Sequence, residues 1–180
     1  MEKCRMVFSG SGGQGVITAA IIFAEAAVIY EGLNATQSQA YGAAARGGAT
    51  RSDIIISEEA INYPKVIQPN MLVCLTQEAY NKFVGIILPG GQLVTDPRFV
   101  QPDLKVDAMQ HQIPMYRTVM ENIGKPIVFN ICMLGMIVGL TDLVRPASIL
   151  KVLERRIPSG FLEMNRQALA LGLELGRQAG

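Results

Sequence analysis

A glycine-rich segment near the beginning of the chain carries the strongest chemical signal in the sequence. It runs Gly10-Ser11-Gly12-Gly13-Gln14-Gly15, and Gly10, Gly12 and Gly15 fit the spacing G-x-G-x-x-G. A strand-like run precedes it, and a helix pattern rich in Ala and Ile follows it. Glycines permit a tight turn, and the free N–H groups at the start of a helix favour an anion. The segment therefore predicts a loop suited to a phosphate or a carboxylate.

Three uses of this glycine loop are open from the residues alone. A dinucleotide site also needs an acidic residue about 20 positions further on, at the end of the second strand. The chain has Asn34-Ala35-Thr36-Gln37-Ser38-Gln39 there, which disfavours that use. A second possibility is that the glycines only allow the helix to pack closely on the strand. The third is a different ligand, with the amide of Gln14 either contacting it or capping the turn.

A second segment, Arg46-Gly47-Gly48-Ala49-Thr50-Arg51, places two arginines around paired glycines before the next strand. Loops at the carboxyl ends of parallel strands gather at one edge of a sheet, where ligands bind. If the segment folds back toward the glycine loop, Arg46 could meet a phosphate, a carboxylate or an acidic group of a partner. The alternative is that Arg46 and Arg51 are solvated surface residues.

No complete catalytic apparatus accompanies these loops, so we expect no catalytic residue and no metal site on this chain. His111 is the only histidine, no serine lies in a G-x-S-x-G elbow, and G-x-x-x-x-G-K-[ST] is missing. Cys4, Cys74 and Cys132 lie far apart in apolar sequence without a C-x-x-C pair, which indicates structural thiols. Asp96, Asp103 and Asp107 are scattered, without the spacing of metal ligands.

The elements that must position the loops alternate between strand and helix. Strands are predicted at 5–9, 33–39, 53–57, 71–75 and 92–95, and helices at 16–31 and 77–87, with a mainly helical second half. Continuous apolar runs such as Met71-Leu72-Val73-Cys74-Leu75 suit strands covered on both faces. The pattern predicts one α/β domain over residues 1–180. We expect a Rossmann-like, doubly wound, mostly parallel sheet with helices on both faces and a helical C-terminal part.

Composition excludes several classes of function. The 180 residues carry 16 basic and 15 acidic side chains without a block of like charge, which argues against nucleic-acid binding and against a membrane surface. The longest apolar region, 127–140, is interrupted by Asn130 and is shorter than a bilayer span. The first residues lack the pattern of an export signal. A cytoplasmic location is therefore expected.

The chain resembles, over nearly its whole length, the gamma subunit of 2-oxoacid:ferredoxin oxidoreductases, most closely the 2-oxoglutarate type. The resemblance rests on the glycine loop, the Arg-Gly-Gly segment and further segments in the same order. They are Gln37-Ser38-Gln39-Ala40-Tyr41-Gly42, Ile61-Asn62-Tyr63-Pro64-Lys65, Leu75-Thr76-Gln77-Glu78-Ala79-Tyr80, Asn130-Ile131-Cys132-Met133-Leu134-Gly135 and Asn165-Arg166-Gln167-Ala168-Leu169.

This resemblance implies a subunit of a hetero-oligomeric enzyme that oxidatively decarboxylates a 2-oxoacid to an acyl-CoA and passes electrons to ferredoxin. It places thiamine diphosphate, Mg²⁺, iron–sulfur clusters and CoA on, or shared with, the thiamine-binding and ferredoxin-like chains. It gives this chain a supporting role, with no cofactor bound by the chain alone. The matching site positions, cofactor-binding by resemblance, are Gly10, Gly12, Gly13, Gln14, Gly15, Arg46, Gly47 and Gly48.

One departure from the family pattern is visible, and two other functions stay open. Many relatives have Pro-Glu where this chain has Ala43-Ala44, so no acid chemistry is assigned there. The alternatives are a stand-alone dinucleotide-binding reductase and an oxidoreductase of the same kind that is specific for pyruvate or a branched-chain 2-oxoacid.

Overall fold

The computed structural model of the chain describes residues 3–40 and 48–180. The strands within these ranges are β1 Cys4–Ser11, β2 Asn34–Ala40, β3 Ala49–Ser57, β4 Met71–Cys74, β5 Gly91–Thr95 and β6 Ala108–Gln112. The helices are α1 Val16–Glu31, α2 Gln77–Phe83, α3 Met115–Asn122, α4 Phe129–Thr141, α5 Pro146–Arg156 and α6 Ser159–Ala179. Two short 3₁₀ turns, Val84–Ile86 and Pro126–Val128, precede β5 and α4. Within the described ranges, no helix is both long enough and apolar enough to span a bilayer.

The strands form one mixed sheet in the order β2-β3-β1-β4-β5-β6. The pairs β1–β4, β4–β5 and β5–β6 are parallel, whereas β3 runs antiparallel to both β1 and β2. The chain leaves β1 toward one side of the sheet and continues from β4 toward the other. The mostly parallel, doubly wound sheet predicted from the sequence is confirmed. The antiparallel direction of β3 was not predicted, because a continuous apolar run indicates a buried strand but not the direction in which that strand runs.

Side chains from β1 explain why helices cover both faces. Met6 and Phe8 point into the larger core beneath α1, α4, α5 and α6, and the Phe8 and Phe23 rings lie 6.4 Å apart. Val7 points into the smaller core, which contains Ala79, Tyr80 and Phe83 of α2. Met6, Val7 and Phe8 are all fully buried, because successive side chains of a strand point to alternate faces of the sheet and both faces are covered.

Within the helical C-terminal part, α4 and α6 make an unusually close contact. Gly135 and Gly139 of α4 face Gly172 and Gly176 of α6, and a Cβ atom on any of the four would meet the backbone of the other helix. Helices in soluble proteins usually pack with their axes 8–10 Å apart. Glycine is required here because backbone rather than side chain forms the contact.

Local signals placed several boundaries correctly. Helix α1 ends at Glu31, and Gly32 follows with a φ of 69° and donates to the Ala27 carbonyl, as expected of a terminating glycine. Helix α5 begins at Pro146 and ends at Arg156, two residues before Pro158. Strand β6 was missed, because its sequence Ala-Met-Gln-His-Gln is polar and lies at the edge of the sheet.

Candidate functional site

The glycine loop joins the end of β1 to α1 at the carboxyl edge of the parallel strands. Gly10 and Ser11 finish β1, residues 12–13 form the turn, and Gly15 precedes the helix with a φ of 73°. Among residues 3–40 and 48–180, no side chain caps the N-terminus of α1, and the first turn of the helix holds no acidic residue. The loop also lies at the point where the strand order reverses. After β1 the chain continues toward one edge of the sheet, and after the neighbouring strand β4 it continues toward the other edge. Ligands of open α/β sheets bind at such a point.

Gln14 holds the loop in shape. Its Oε1 atom accepts a hydrogen bond of 2.8 Å from the Ser11 amide, and its Nε2 atom donates one of 3.3 Å to the Leu75 carbonyl at the end of β4. A Cβ atom at position 10 would overlap the same Gln14 side chain. Of the two uses left open for Gln14, the structure supports capping of the turn.

Gly15 is required by a contact with α4. Its positive φ already favours glycine, and an added Cβ atom would overlap the side-chain amide of Asn130. Asn130, in the first turn of α4, donates from Nδ2 to the Gly15 carbonyl over 3.3 Å. Gly13 has a φ of 89° without crowding neighbours. Internal geometry therefore accounts for glycine at positions 10, 13 and 15.

Gly12 differs from the other glycines of the loop. Its φ is not positive, and a Cβ atom there would meet no heavy atom within 4 Å among the described residues. Packing of α1 on β1, the second use considered above, therefore does not explain glycine at this position. Gly12 is exposed at the tip of the turn, where a larger side chain would occupy only the space outside the chain.

The second predicted segment begins beside the glycine loop. Ala49 pairs with Ser11 and Thr50 with Gly10, and the Thr50 hydroxyl donates to the Gly10 carbonyl over 3.2 Å. Gly48 is therefore next to the loop, at the edge where the sequence placed it. Arg46 and Gly47 lie outside the described residues, as do Ala43 and Ala44.

The strand order removes the geometry of a dinucleotide site. In the usual dinucleotide fold the second strand lies beside the first, so its terminal acid reaches the ribose. Here β3 separates β2 from β1, which moves the end of β2 about 10 Å away, at roughly 4.8 Å per strand. The missing acidic residue and the strand order therefore both argue against a dinucleotide site.

Aromatic residues form one wall of a cleft beside the glycine loop. The cleft holds about 360 Å³ and is lined by Gly13, Gln14 and Gly15 on one side and by aromatic side chains and Asn130 on the other. Phe99, Tyr116 and Phe129 surround one another with ring centroids 5.1–6.0 Å apart. The lining contains no carboxylate. A flat apolar group and an anion could therefore be held side by side here.

Arg98 and Asp96 border the next cleft, of about 600 Å³, which shares Tyr116 with the first. The Arg98 guanidinium lies 4.8 Å from the centre of the Tyr116 ring. Asp96 is buried at the end of β5 and accepts hydrogen bonds from the Arg98 and Tyr116 amides at 2.9 and 2.7 Å. Burial raises the pKa of Asp96, and the hydrogen bonds from the two amides lower it by less. Asp96 thereby fixes the start of α3 and, through it, Tyr116.

The aromatic wall of the cleft was not predicted from the sequence. Phe99, Tyr116 and Phe129 are far apart in the chain and show no common spacing. One usable signal existed at Asn130, a polar residue that interrupts an apolar run. A buried amide needs a hydrogen-bond partner, which here is the glycine loop.

The thiols and the histidine do not form a catalytic group. Burial raises the pKa of Cys4 to about 11 and those of Cys74 and Cys132 to about 12, so the thiolate needed for a nucleophile or a cluster ligand is disfavoured. Among residues 3–40 and 48–180, no three His, Cys, Asp or Glu side chains lie close enough to hold a metal ion. His111 lies on β6, away from the glycine loop.

Arg51 is a structural residue rather than a free surface cation. It pairs with Asp53 through both Nε and an Nη atom and donates to the Val66 carbonyl, while the Val66 amide donates to Asp53 over 3.0 Å. The side chains of Arg51 and Asp53 are only 17% and 11% exposed. The pair fixes the Tyr63-Pro64-Lys65 segment against β3.

Comparison with known proteins is consistent over the whole chain. The pyruvate ferredoxin/flavodoxin oxidoreductase family matches residues 5–175. A 2-oxoglutarate synthase subunit KorC of Methanocaldococcus jannaschii is 42% identical over 172 residues, which cover 94% of this chain and 92% of the relative.

Two solved structures share the fold. The keto/oxoacid ferredoxin oxidoreductase gamma subunit of Geobacter sulfurreducens superposes with a TM-score of 0.89 at 37% identity, covering 99% of each chain. A chain of the Magnetococcus marinus 2-oxoglutarate:ferredoxin oxidoreductase, solved with 2-oxoglutarate, coenzyme A and succinyl-CoA bound, gives a TM-score of 0.90 at 22% identity. It matches 99% of this chain but 32% of the longer one, and at that identity it supports the fold alone.

Proposed function

The chain belongs to the pyruvate ferredoxin/flavodoxin oxidoreductase family, and we propose that it is the gamma subunit of a 2-oxoacid:ferredoxin oxidoreductase. The assembled enzyme oxidatively decarboxylates a 2-oxoacid, forms an acyl-CoA and passes the electrons to ferredoxin. Its substrate is 2-oxoglutarate, because the relative with 42% identity is a 2-oxoglutarate synthase subunit. The chain acts as one cytoplasmic domain, residues 1–180, together with thiamine-binding and ferredoxin-like subunits.

The observation that carries this proposal is the open position of Gly12. Glycine at positions 10, 13 and 15 follows from contacts and backbone angles within the chain, whereas a Cβ atom at Gly12 would meet no described residue within 4 Å. The glycine at position 12 therefore leaves room for a group that approaches from outside the chain. The approaching group is a ligand or a partner subunit at the carboxyl edge of the sheet.

The role of the chain in that enzyme is to support the active site. The described residues hold no paired nucleophile and base, and burial holds their thiols protonated. Thiamine diphosphate, Mg²⁺ and the iron–sulfur clusters therefore belong to the partner subunits. The glycine loop, with Gln14 fixing its shape and Gly48 beside it, lines the shared boundary. The proposed cofactor site also includes Arg46 and Gly47, on the resemblance of their motif to that of the family.

CoA is the group of the complex that the cleft suits chemically. It supplies the thiol that accepts the acyl group, and it carries phosphates on a nucleotide. The uncapped N-terminus of α1 suits a phosphate, and the wall containing Phe99, Tyr116 and Phe129 suits a flat ring. This chain would hold and orient CoA rather than react with it.

The first experiment tests assembly and turnover. The chain, expressed with its thiamine-binding and ferredoxin-like partners, should co-purify with them and reduce ferredoxin when given 2-oxoglutarate and CoA. Pyruvate and a branched-chain 2-oxoacid serve as competing substrates, and faster turnover of either one reassigns the substrate. Full turnover by the isolated chain, or tight stoichiometric binding of NADH to it, would overturn the proposal.

The second experiment tests the loop. Gly12→Val should raise the KM for CoA or lower kcat by about tenfold, because misplacing a bound group by about 1 Å costs far more than that. Gly85→Val is the matched control, since Gly85 is also exposed and a Cβ atom there meets nothing within 4 Å. Equal kinetic constants for the two variants would show that the glycine loop is not part of the CoA site.

A further inference from the structure

A basic groove lies at the edge of the sheet opposite to the glycine loop. Lys3 and Arg5 line it from the start of β1, and Lys65 lines it from the segment between β3 and β4. The groove holds about 480 Å³. Because it flanks the amino ends of the parallel strands, it is separate from the clefts that border the glycine loop.

The three cations of this groove have no anionic partner among residues 3–40 and 48–180. The ion pairs in that part of the chain involve other arginines. Among the residues that the structure describes, no carboxylate lines the groove. Three like charges gathered from two segments repel one another, and an external anion relieves that repulsion.

Two exposed apolar side chains stand beside the cations. Tyr63 is 59% exposed and Ile67 is 70% exposed, and both line the basic groove together with Lys65. They also line a neighbouring groove of about 630 Å³ that contains Lys82. Tyrosine and arginine, represented here by Tyr63 and Arg5, are enriched at protein–protein interfaces.

The segment that presents these residues is held rigidly. Val66, between Lys65 and Ile67, is 3% exposed, and both its amide and its carbonyl are bound by the Arg51–Asp53 pair. A fixed backbone lowers the entropy lost on docking. The face of the sheet behind it is also thinly covered, because α2 has only seven residues, whereas five longer helices contribute to the core on the other face.

We propose that this groove docks an acidic segment of another subunit of the complex, with Tyr63 and Ile67 as apolar anchors and Lys3, Arg5 and Lys65 pairing with its carboxylates. The proposal rests on the proposed function. A protein segment fits better than a small anion, because exposed apolar side chains line the groove beside the cations and the surface extends through two adjoining grooves. Surface electrostatics of this kind set the association rate and its salt dependence.

The test uses the assembled complex and measures the affinity of the chain for its partner subunits at low and at high salt. Lys65→Glu should weaken binding several-fold, and the triple variant Lys3→Glu, Arg5→Glu, Lys65→Glu by about tenfold or more at low salt, with a smaller loss at high salt. Lys105→Glu is the matched control, since Lys105 is exposed and lies outside both grooves. Lys65 is exposed, so its single variant reports on docking even if the triple variant folds poorly.

A photo-crosslinker in place of Tyr63 identifies the occupant directly. Mass spectrometry should find it joined to a partner-subunit peptide rich in Asp and Glu. Crosslinks to a second copy of this chain, or unchanged affinity of both charge variants, would overturn the inference and leave the proposed function standing. Failure of the unmodified chain to assemble with any partner would overturn both.

Discussion

The side-chain amide of Asn130 lies against the backbone of Gly15, although the two residues are 115 positions apart. The contact fixes the first turn of α4 on the loop that begins α1. It also explains why an apolar helix has a polar residue in its first turn, since the Asn130 amide donates to the Gly15 carbonyl.

Gly15→Ala should lower the free energy of unfolding by about 1–3 kcal/mol, the cost of a strained backbone at a non-glycine residue. The added methyl group would also displace the Asn130 amide. Urea denaturation measures the loss, and Gly12→Ala serves as the control, expected within about 0.5 kcal/mol of the parent chain. Equal losses for the two variants would contradict the distinction drawn between these glycines.

Gly172→Ala should destabilise the chain by about 1–3 kcal/mol or more, because overpacking forces the backbone to shift. The new methyl group would overlap the Cys132 carbonyl on α4. Gly160→Ala, in the same helix but facing open space, should be neutral or stabilising by up to about 1 kcal/mol. Thermal unfolding of both variants checks the prediction, which fails if the two melt alike.

Asp53→Ala should cost about 3–5 kcal/mol, because it leaves the largely buried Arg51 without its partner. It should also speed hydrogen exchange at the Val66 amide, which donates to Asp53. The exposed pair Arg117–Glu121 is the control, and Glu121→Ala should cost about 0.3–0.5 kcal/mol. Unchanged exchange at Val66 would show that the pair does not hold the segment.

The stability of the chain should fall as the pH drops below about 6.5, with His111 as a contributor. Burial lowers the pKa of His111 below its usual 6.5, and this outweighs the hydrogen bond to the Ala179 backbone, which raises it. The Nε2 atom has no hydrogen-bond partner in the part of the chain that the structure describes. The unfolded chain then binds the proton more readily, so acidification favours unfolding.

Urea titrations between pH 7.5 and 5 should show a shallower loss of stability for His111→Gln than for the parent chain. Asp96, whose pKa is raised by burial, acts in the opposite direction over the pH range between its usual pKa of 3.8 and its raised pKa. An identical slope for parent and variant would exclude His111 as the group responsible.

Much of the candidate site followed from local sequence, and the rest did not. The glycine loop and the strand and helix on either side of it were predicted, because turn glycines and apolar periodicity act over a few residues. Phe99, Tyr116 and Phe129 were not, since each is an ordinary apolar residue until the fold brings the three together. Arg51 was left open between two roles, and only its contact with Asp53 decided between them.

The sequence alone determined most of the strands, though not β6, and where α1 begins and ends, because glycine conformation and side-chain alternation are local properties. Tertiary structure alone decided that β3 lies between β1 and β2, that Ser11 faces Ala49, and that Asn130 covers Gly15. A pattern of apolar residues specifies that a face must be buried but not which part of the chain buries it. That choice depends on packing the whole chain at once.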